Sequence, residues 1–149
     1  MKGERARCFN RLLLFENQAK EIPMAVNKQH REFYQVDMQS GWETVPGYHA
    51  GIQQKILSGT LDTKNRKGGH TRLLRFAPGA YSTEPFVHDY WEEVFVIKGD
   101  LIVDSDASGK GGRPFHENTY CVRPPGVPHG PFRSEKGCLL LESHYYDPA

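Results

Sequence analysis

Residues 78–103 read PGAYSTEPFVHDYWEEVFVIKGDLIV, and this stretch decides the fold class that the sequence predicts. Its apolar runs have the length of strands, and Pro78-Gly79 and Gly99 punctuate them. Short runs rich in Val, Ile, Phe and Tyr between Gly and Pro breaks are typical of β-structure. The stretch therefore predicts antiparallel strands rather than a helix.

The same pattern continues from Tyr34 to the end of the chain, with breaks such as Pro46-Gly47 and Pro124 to Pro128. About nine short strands in one unit must close into a barrel or pack as a jelly roll, because those shapes protect the strand edges. Either shape provides a lumen in which polar groups can converge. The predicted strands are Tyr34–Val36, Trp42–Val45, Ile52–Leu57, His70–Phe76, Tyr81–His88, Glu93–Lys98, Asp100–Val103, Thr119–Val122 and Cys138–Tyr146.

The length and the net charge of the chain restrict its domain organisation and the classes of partner that it can bind. The chain has 149 residues, which fits a single domain. Its 19 basic and 18 acidic side chains give a formal charge of +1, so no global field recruits nucleic acid or an anionic membrane surface. No apolar run approaches the roughly 20 residues of a membrane span. We expect a small-molecule substrate rather than a nucleic acid or membrane partner.

Residues 1–23 differ from the rest of the chain in their pattern of apolar and charged residues. Phe9, Leu12 and Leu13 have helical spacing among charged residues, so this segment is predicted to be an N-terminal arm, with a possible short helix, or a dispensable leader. The regular part begins at Met24, and we place the folded domain at residues 24–149.

Two observations predict a cytoplasmic location. The apolar run from Leu12 to Phe15 is shorter than the roughly 7 to 15 residues of a signal-peptide core. The three cysteines, Cys8, Cys121 and Cys138, are an odd number and form no C-x-x-C pair, which argues against a disulfide framework.

Three side chains have the types and positions of metal ligands. His88 lies four residues before Glu92, near the end of one predicted strand and the start of the next, so both can face one lumen. His129 follows a stiff turn, RPPGVPHGPF at residues 123–132, which fixes the backbone before the imidazole. These residues predict a metal site.

Two motifs in these segments resemble those of the cupin superfamily, whose members have an RmlC-like fold. The first superfamily motif runs Gly, five residues, His-x-His, three or four residues, Glu, six residues, Gly. The second runs Gly, five residues, Pro-x-Gly, two residues, His, three residues, Asn. The matching positions are Gly79, His88, Glu92 and Gly99 for the first motif and Pro124, Gly126 and His129 for the second.

The chain departs from the motifs at several places. Phe86 stands where the first motif has its first His, and the spacing from Gly79 to that place is one residue longer than the pattern. Asn118 and Arg133 replace the Gly and the Asn of the second motif. The Phe86 departure removes one ligand and leaves two histidines and one carboxylate.

The phrases LLRFAPGA, HDYWEEVFVIKGDL and PPGVPHGPF look most like the cupin domain of zinc-binding anti-sigma factors and its stand-alone relatives. Those relatives include proteins similar to acetylacetone and dihydroxyacetophenone dioxygenases, which use O₂ at a non-haem iron. The resemblance implies an all-β cupin domain, a jelly-roll barrel of the double-stranded β-helix type. It also implies one divalent metal on His88, Glu92 and His129. A two-His, one-carboxylate set favours Fe(II), although Zn, Mn or Ni would fit the same ligands.

Other side chains could complete the site. His70 and His144 are possible additional ligands, and Arg72 could anchor a substrate carboxylate or enolate, unless it lies on a solvated face. Phe86 and two further aromatic residues, Tyr90 and Trp91, could line the substrate pocket, although packing alone would also explain them.

The leading functional prediction is a metal-dependent dioxygenase that acts on a small carbonyl or phenolic compound. Two alternatives stay open: an isomerase, lyase or decarboxylase on the same site, and a non-catalytic barrel that senses a small molecule or metal. We expect a homodimer through the apolar segments Phe95–Ile97 and Leu139–Leu141, unless these residues form the core of a monomer.

Overall fold

The computed structural model describes residues 28–147, and all regular structure in that range is β. This confirms the all-β prediction. Within these residues there is no helix with the length and apolar character that a membrane span requires. The prediction for residues 1–23 lies outside the described part of the chain. The strands are β1 (Glu43–Thr44), β2 (Ile52–Asp62), β3 (Lys67–Phe76), β4 (Trp91–Val103), β5 (Arg113–His116), β6 (Tyr120–Arg123), β7 (Phe132–Arg133) and β8 (Cys138–Tyr145).

The strands pair in the order β1-β2-β3-β8-β4-β5, and β6 and β7 also pair with β4. Every pairing is antiparallel. The first part of β4 pairs with β8 and β6, whereas its last residues pair with β5 and β7. β4 therefore passes from one layer of the barrel to the other.

Gly99 allows β4 to make this passage. Its φ of +89° lies in the region that L side chains rarely adopt, and a Cβ at this position would overlap the carbonyl oxygen of Gly137. The sequence predicted two strands separated by Gly99. The structure instead has one continuous strand, because the glycine absorbs the bend while its pairing with Cys138 continues.

Alternate residues of the long strands form the core. In β8, Cys138, Leu140, Glu142 and His144 are buried, and the residues between them are less so. The same alternation turns Glu92 inward on β4. The apolar members of the core are Val45, Ile52, Leu74, Phe76, Ala80, Val94, Val96, Leu101, Cys138 and Leu140.

Two predicted strands are absent from the described residues. Tyr34–Val36 forms no regular structure. Tyr81–His88 contributes only isolated bridges, Tyr81 with Arg133 and Phe86 with His129. Pro85 lies inside the second segment and has no N–H for a continuous ladder, so the chain there pairs only at single points.

The turn before β8 is fixed by the buried carboxylate of Asp100. Its oxygens accept hydrogen bonds from the backbone N–H groups of Glu135 and Lys136, both at 2.9 Å, and from the Ser134 hydroxyl at 3.3 Å. Burial by itself raises the pKa of Asp100, but these donors outweigh it and the pKa lies below its ordinary value. The carboxylate thereby joins β4 to the turn that leads into β8.

Candidate metal centre

The barrel encloses a cavity of about 520 Å³ that has a polar and an apolar wall. Its apolar wall includes side chains of the core, among them Leu74, Val94 and Leu140. The polar and titratable side chains that line it include Arg72, His88, Glu92, Arg123, His129, Glu142 and His144.

The three predicted ligands lie together in this cavity. His88 is in the segment before β4, Glu92 is on β4, and His129 is in the segment before β7. The Nε2 atom of His88 is 3.7 Å from Glu92 Oε1, and that of His129 is 3.5 Å from Glu92 Oε2. One donor atom from each residue lies within 4.8 Å of the others. The motif spacing therefore did identify a real cluster, and its ligand role stays a prediction.

Backbone pairing holds the two histidines beside each other. Phe86 N–H donates to the His129 carbonyl at 2.8 Å, and His129 N–H donates to the Phe86 carbonyl at 3.0 Å. The Gly126 N–H also donates to the His88 carbonyl at 2.8 Å. The turn predicted from Pro124 to Pro128 is thereby attached to the segment that carries His88.

Hydrogen bonds orient both imidazoles toward Glu92. The Nδ1 atom of His88 is 3.2 Å from the Tyr90 carbonyl oxygen, and that of His129 is 2.9 Å from the Val127 carbonyl oxygen. A carbonyl oxygen only accepts, so Nδ1 carries the proton and the Nε2 lone pair faces Glu92. Histidines that bind metals are usually held in this way.

The donor set fits a divalent cation. His88 Nε2 is buried, and no described residue offers it a hydrogen bond. Burial alone raises the pKa of Glu92, but the hydrogen bond from His144 and the nearby charges, among them that of Arg123, outweigh it, so the pKa lies far below its usual range. Burial is also the largest cause that lowers the pKa of His129. The site therefore offers a carboxylate and neutral imidazole, the forms that bind metals.

A second group of donors shares Glu92 with the first. It consists of Glu92, Glu142 and His144, and its donor atoms also lie within 4.8 Å of one another. His144 Nε2 is 3.2 Å from Glu92 Oε1 and 3.6 Å from Glu142 Oε2. Of the two possible additional ligands, His144 thus lies at the site.

His70 lies behind His144 rather than beside the three predicted ligands. Its Nε2 atom is 3.2 Å from His144 Nδ1, the nitrogen that points away from Glu92. Burial and then the charges of His144, Arg72 and Lys28 lower the pKa of His70 to about 3. His70 is therefore neutral at physiological pH and contacts the site through His144.

Arg72 is buried and paired, which corrects the alternative that placed it on a solvated face. Its Nε–H donates to Glu142 Oε2 at 2.7 Å, and its Nη1 donates to Gln54 Oε1 at 2.8 Å. Glu142 was not among the residues predicted for the site. A signal existed, because Glu142 and His144 have the same parity as Leu140 on β8 and so interrupt an apolar face with polar groups.

Arg123, which was not predicted for the site either, contacts Glu92 directly. Its Nη1–H donates to Glu92 Oε2 at 2.6 Å, and its guanidinium lies 5.7 Å from the centre of the Phe132 ring. Arg123 and Glu92 are direct partners in the pairing of β6 with β4. No local pattern reveals this contact, because it depends on which strands pair.

The predicted pocket aromatics divide into two groups. Phe86 stacks on Tyr48 at 4.8 Å between ring centres, and Tyr90 stacks on His88 at 4.1 Å. Trp91 is not among the residues that line the cavity and donates its indole N–H to Asp147. Strand alternation turns Trp91 to the side opposite Glu92, so its position does not support the predicted place in the substrate pocket.

The families of known proteins that the chain resembles agree with the observed fold. A family model described as the ChrR cupin-like domain matches residues 30–146. None of the curated proteins matches the chain.

Solved cupin structures are similar in fold. An RmlC-like cupin from Shewanella frigidimarina NCIMB 400 is 19% identical, with a TM-score of 0.56 over 80% of this chain and 93% of that one. The polyketide cyclase RemF from Streptomyces resistomycificus is 19% identical, with a TM-score of 0.57 over 78% and 81%. An acetylacetone dioxygenase from Acinetobacter johnsonii is 17% identical, with a TM-score of 0.55 over 80% and 78%. The jelly-roll prediction is thereby confirmed.

Proposed function

The chain belongs to the ChrR cupin-like family, and from that premise we propose that it is a mononuclear metal-dependent dioxygenase for a small carbonyl or phenolic compound. One observation carries the metal part of the proposal. Two imidazoles, each with Nδ1–H bonded to a backbone carbonyl, direct their Nε2 lone pairs at the ionised carboxylate of Glu92. His88, Glu92 and His129 would hold the ion.

Three protein ligands would leave open positions on the ion, the arrangement of a catalytic rather than a structural site. Fe(II) is favoured for the oxygenase, and Zn, Mn or Ni would fit the same donors. When bound, the ion would polarise substrate oxygen atoms and, as iron, supply the O₂ chemistry. The apolar wall of Leu74, Val94 and Leu140 excludes water from the substrate.

We assign His144 a positioning role. If His70 donates its Nε2–H to His144 Nδ1, then His144 Nε2 carries a proton and donates it to Glu92 Oε1 at 3.2 Å. This hydrogen bond fixes the carboxylate that would bind the ion. In the alternative role, His144 loses that proton and becomes a fourth ligand in place of the histidine that Phe86 replaces.

Metal analysis of protein purified without chelators tests the site. The wild type should hold one divalent ion per chain, and His88→Ala and His129→Ala should each lose it. His116→Ala, at an exposed position on β5, is the matched control and should retain it. Full metal retention in both site variants would refute the proposal.

The variant His144→Ala separates the two roles of that residue. A positioning role predicts one bound ion with an affinity reduced by about 10- to 100-fold. Loss of stoichiometric metal would make His144 a ligand.

The oxygenase step is tested with an oxygen electrode, the Fe(II)-loaded protein and a panel of β-diketones and hydroxyaryl ketones. Oxygen consumption coupled to loss of substrate supports the dioxygenase. Turnover without oxygen consumption would support the isomerase, lyase or decarboxylase, and binding without turnover would support the sensor.

We also propose a homodimer and a cytoplasmic location. Phe95, Ile97, Tyr120 and Val122 are exposed on the outer face of β4 and β6, and pairing of two chains would cover them. Light scattering should give twice the 17.0 kDa chain mass, and Ile97→Lys should halve it. The location rests on the thiols, since both Cys121 and Cys138 are free.

A further inference from the structure

The charges inside the cavity are balanced in pairs. Arg72 pairs with Glu142, and Arg123 pairs with Glu92. The side chains of all four are at most 15% exposed, so each charge depends on its partner rather than on water. The described cavity thus holds two cationic and two anionic buried side chains.

A divalent cation on Glu92 would disturb this balance. The ion adds two positive charges beside Glu92, whose Oε2 already accepts the hydrogen bond from Arg123. That same Oε2 is the oxygen that faces His129 Nε2, at 3.5 Å. Arg123 and the ion would therefore compete for one carboxylate, and the loaded cavity would carry excess positive charge that only an anion can offset.

Arg123 is the arginine that can change partners. Arg72 donates to Glu142 and to Gln54, so its guanidinium is held from two sides. Among the described residues, Glu92 is the one ion-pair partner of Arg123. Arg123 also lies 5.7 Å from the centre of the Phe132 ring, and both residues line the cavity.

The neighbouring rings restrict the shape of an anion. Phe86 stacks on Tyr48 with 20° between the ring planes and on Phe132 with 16°. These near-parallel aromatic faces line one side of the cavity, and aromatic faces favour flat, apolar groups. The place of the missing ligand His is thus occupied by a ring that can pack against a planar ligand.

We propose that Arg123 anchors the substrate, which is a planar anion with two oxygen donors, of the enolate or phenolate class. Metal binding frees the guanidinium from Glu92, and the guanidinium then donates to an anionic oxygen of the ligand. Arg123, rather than Arg72, thus has the anchoring role. This inference rests on the proposed metal site and not on the proposed reaction with O₂.

Calorimetry with Zn(II) and absorption titration with 4-nitrocatechol, a planar catechol that binds as an anion, test the proposal without turnover. In Arg123→Gln, Zn(II) should bind about tenfold more tightly, because the competing cation is gone. The Zn-loaded variant should bind 4-nitrocatechol at least about tenfold more weakly, because a hydrogen bond to a charged group is lost. Arg123→Lys keeps the charge and should restore part of the catechol affinity.

Arg75→Gln is the matched control. Arg75 lies on β3 like Arg72, but it donates to Gln53 and is not among the residues that line the cavity, so both affinities should equal those of the wild type. Circular dichroism verifies that each variant is folded, and if Arg123→Gln does not fold, Arg123→Lys and the wild type carry the test. In the wild type, saturation with Zn(II) should tighten catechol binding.

The outcomes separate this inference from the proposed function. Opposite changes in the two affinities support the anchor, whereas equal weakening of both in Arg123→Gln would make the residue structural and overturn it. Unchanged catechol affinity in both Arg123 variants would also overturn it, with the metal site intact. A wild type that binds no Zn(II) refutes both proposals. If the protein binds metal and catechol but consumes no oxygen, only the proposed dioxygenase activity is refuted.

Discussion

Removal of the buried guanidinium of Arg72 should destabilise the fold severely. The Arg72–Glu142 pair has an N–O distance of 2.7 Å, and its side chains are 8% and 5% exposed. Arg72→Met leaves Glu142 as a buried charge without its partner, which costs about 3–5 kcal/mol. Domains of this size have total stabilities of about 5–15 kcal/mol, so this loss is a large fraction.

The assay is urea unfolding followed by circular dichroism. With an m-value of about 2 kcal/mol/M, the midpoint of Arg72→Met should fall by about 2 M. Replacing both partners, in Arg72→Met/Glu142→Leu, removes the unpaired charge and should return the free energy of unfolding to within about 2 kcal/mol of the wild type.

The exposed pair Arg133–Glu135 is a control with the same 2.7 Å separation but side chains that are 22% and 58% exposed. Glu135→Gln should therefore cost less than about 1 kcal/mol. A double variant no more stable than Arg72→Met would refute the reasoning, because the cost would then not come from a charge left unpaired.

Three further predictions concern the fold around β4 and β8. Asp100→Asn should lower the free energy of unfolding by about 1.5–3 kcal/mol in chemical denaturation, because an amide cannot accept from all three donors. The pKa of Asp100 is lower in the folded than in the unfolded protein, so the ionised carboxylate stabilises the fold above the unfolded pKa. This stabilisation is lost as pH falls through the folded pKa. An acid unfolding profile of Asp100→Asn identical to that of the wild type would contradict this reasoning. Gly99→Ala should lower the free energy of unfolding, measured by thermal melting, by more than about 2 kcal/mol, because the added Cβ overlaps Gly137 and φ is positive. Gly111→Ala also has a positive φ, but its Cβ would meet open space, so the loss should be smaller. Burial raises the pKa of the Cys138 thiol to about 12. Mass spectrometry should therefore find Cys138 unmodified by iodoacetamide at pH 8 until urea unfolds the protein. Rapid alkylation of the folded chain would contradict this, because it would show that the thiol is accessible.

The cluster of His88, Glu92 and His129 could be predicted from the sequence, because the motif spacing reports on short segments. His88 lies just before the bend that leads into β4, and Glu92 is the second residue of that strand. The proline-rich turn fixes the segment that carries His129. Local spacing and turn chemistry are sufficient for such residues, because few backbone conformations satisfy them.

The partners of Glu92 could not be predicted in the same way. Arg123 reaches Glu92 through the pairing of β6 with β4, and the contact between His70 and His144 depends on the register of β3 with β8. Register is set by the packing of the whole barrel and not by neighbours in sequence. The side that Trp91 faces also depends on strand structure, because Trp91 precedes Glu92 directly in β4 and adjacent strand residues face opposite sides.

The reciprocal backbone pair between Phe86 and His129 makes their two amide protons reporters of site occupancy. The segments that carry the imidazoles can separate only if both of these bonds and the bond from the Gly126 N–H to the His88 carbonyl break. At the proposed metal site, an ion that bridges His88 and His129 would resist that opening in proportion to its affinity. Hydrogen exchange at these two amides would therefore slow on metal loading, while exchange at the Glu135 and Lys136 amides, which donate to Asp100 and do not line the cavity, would stay the same.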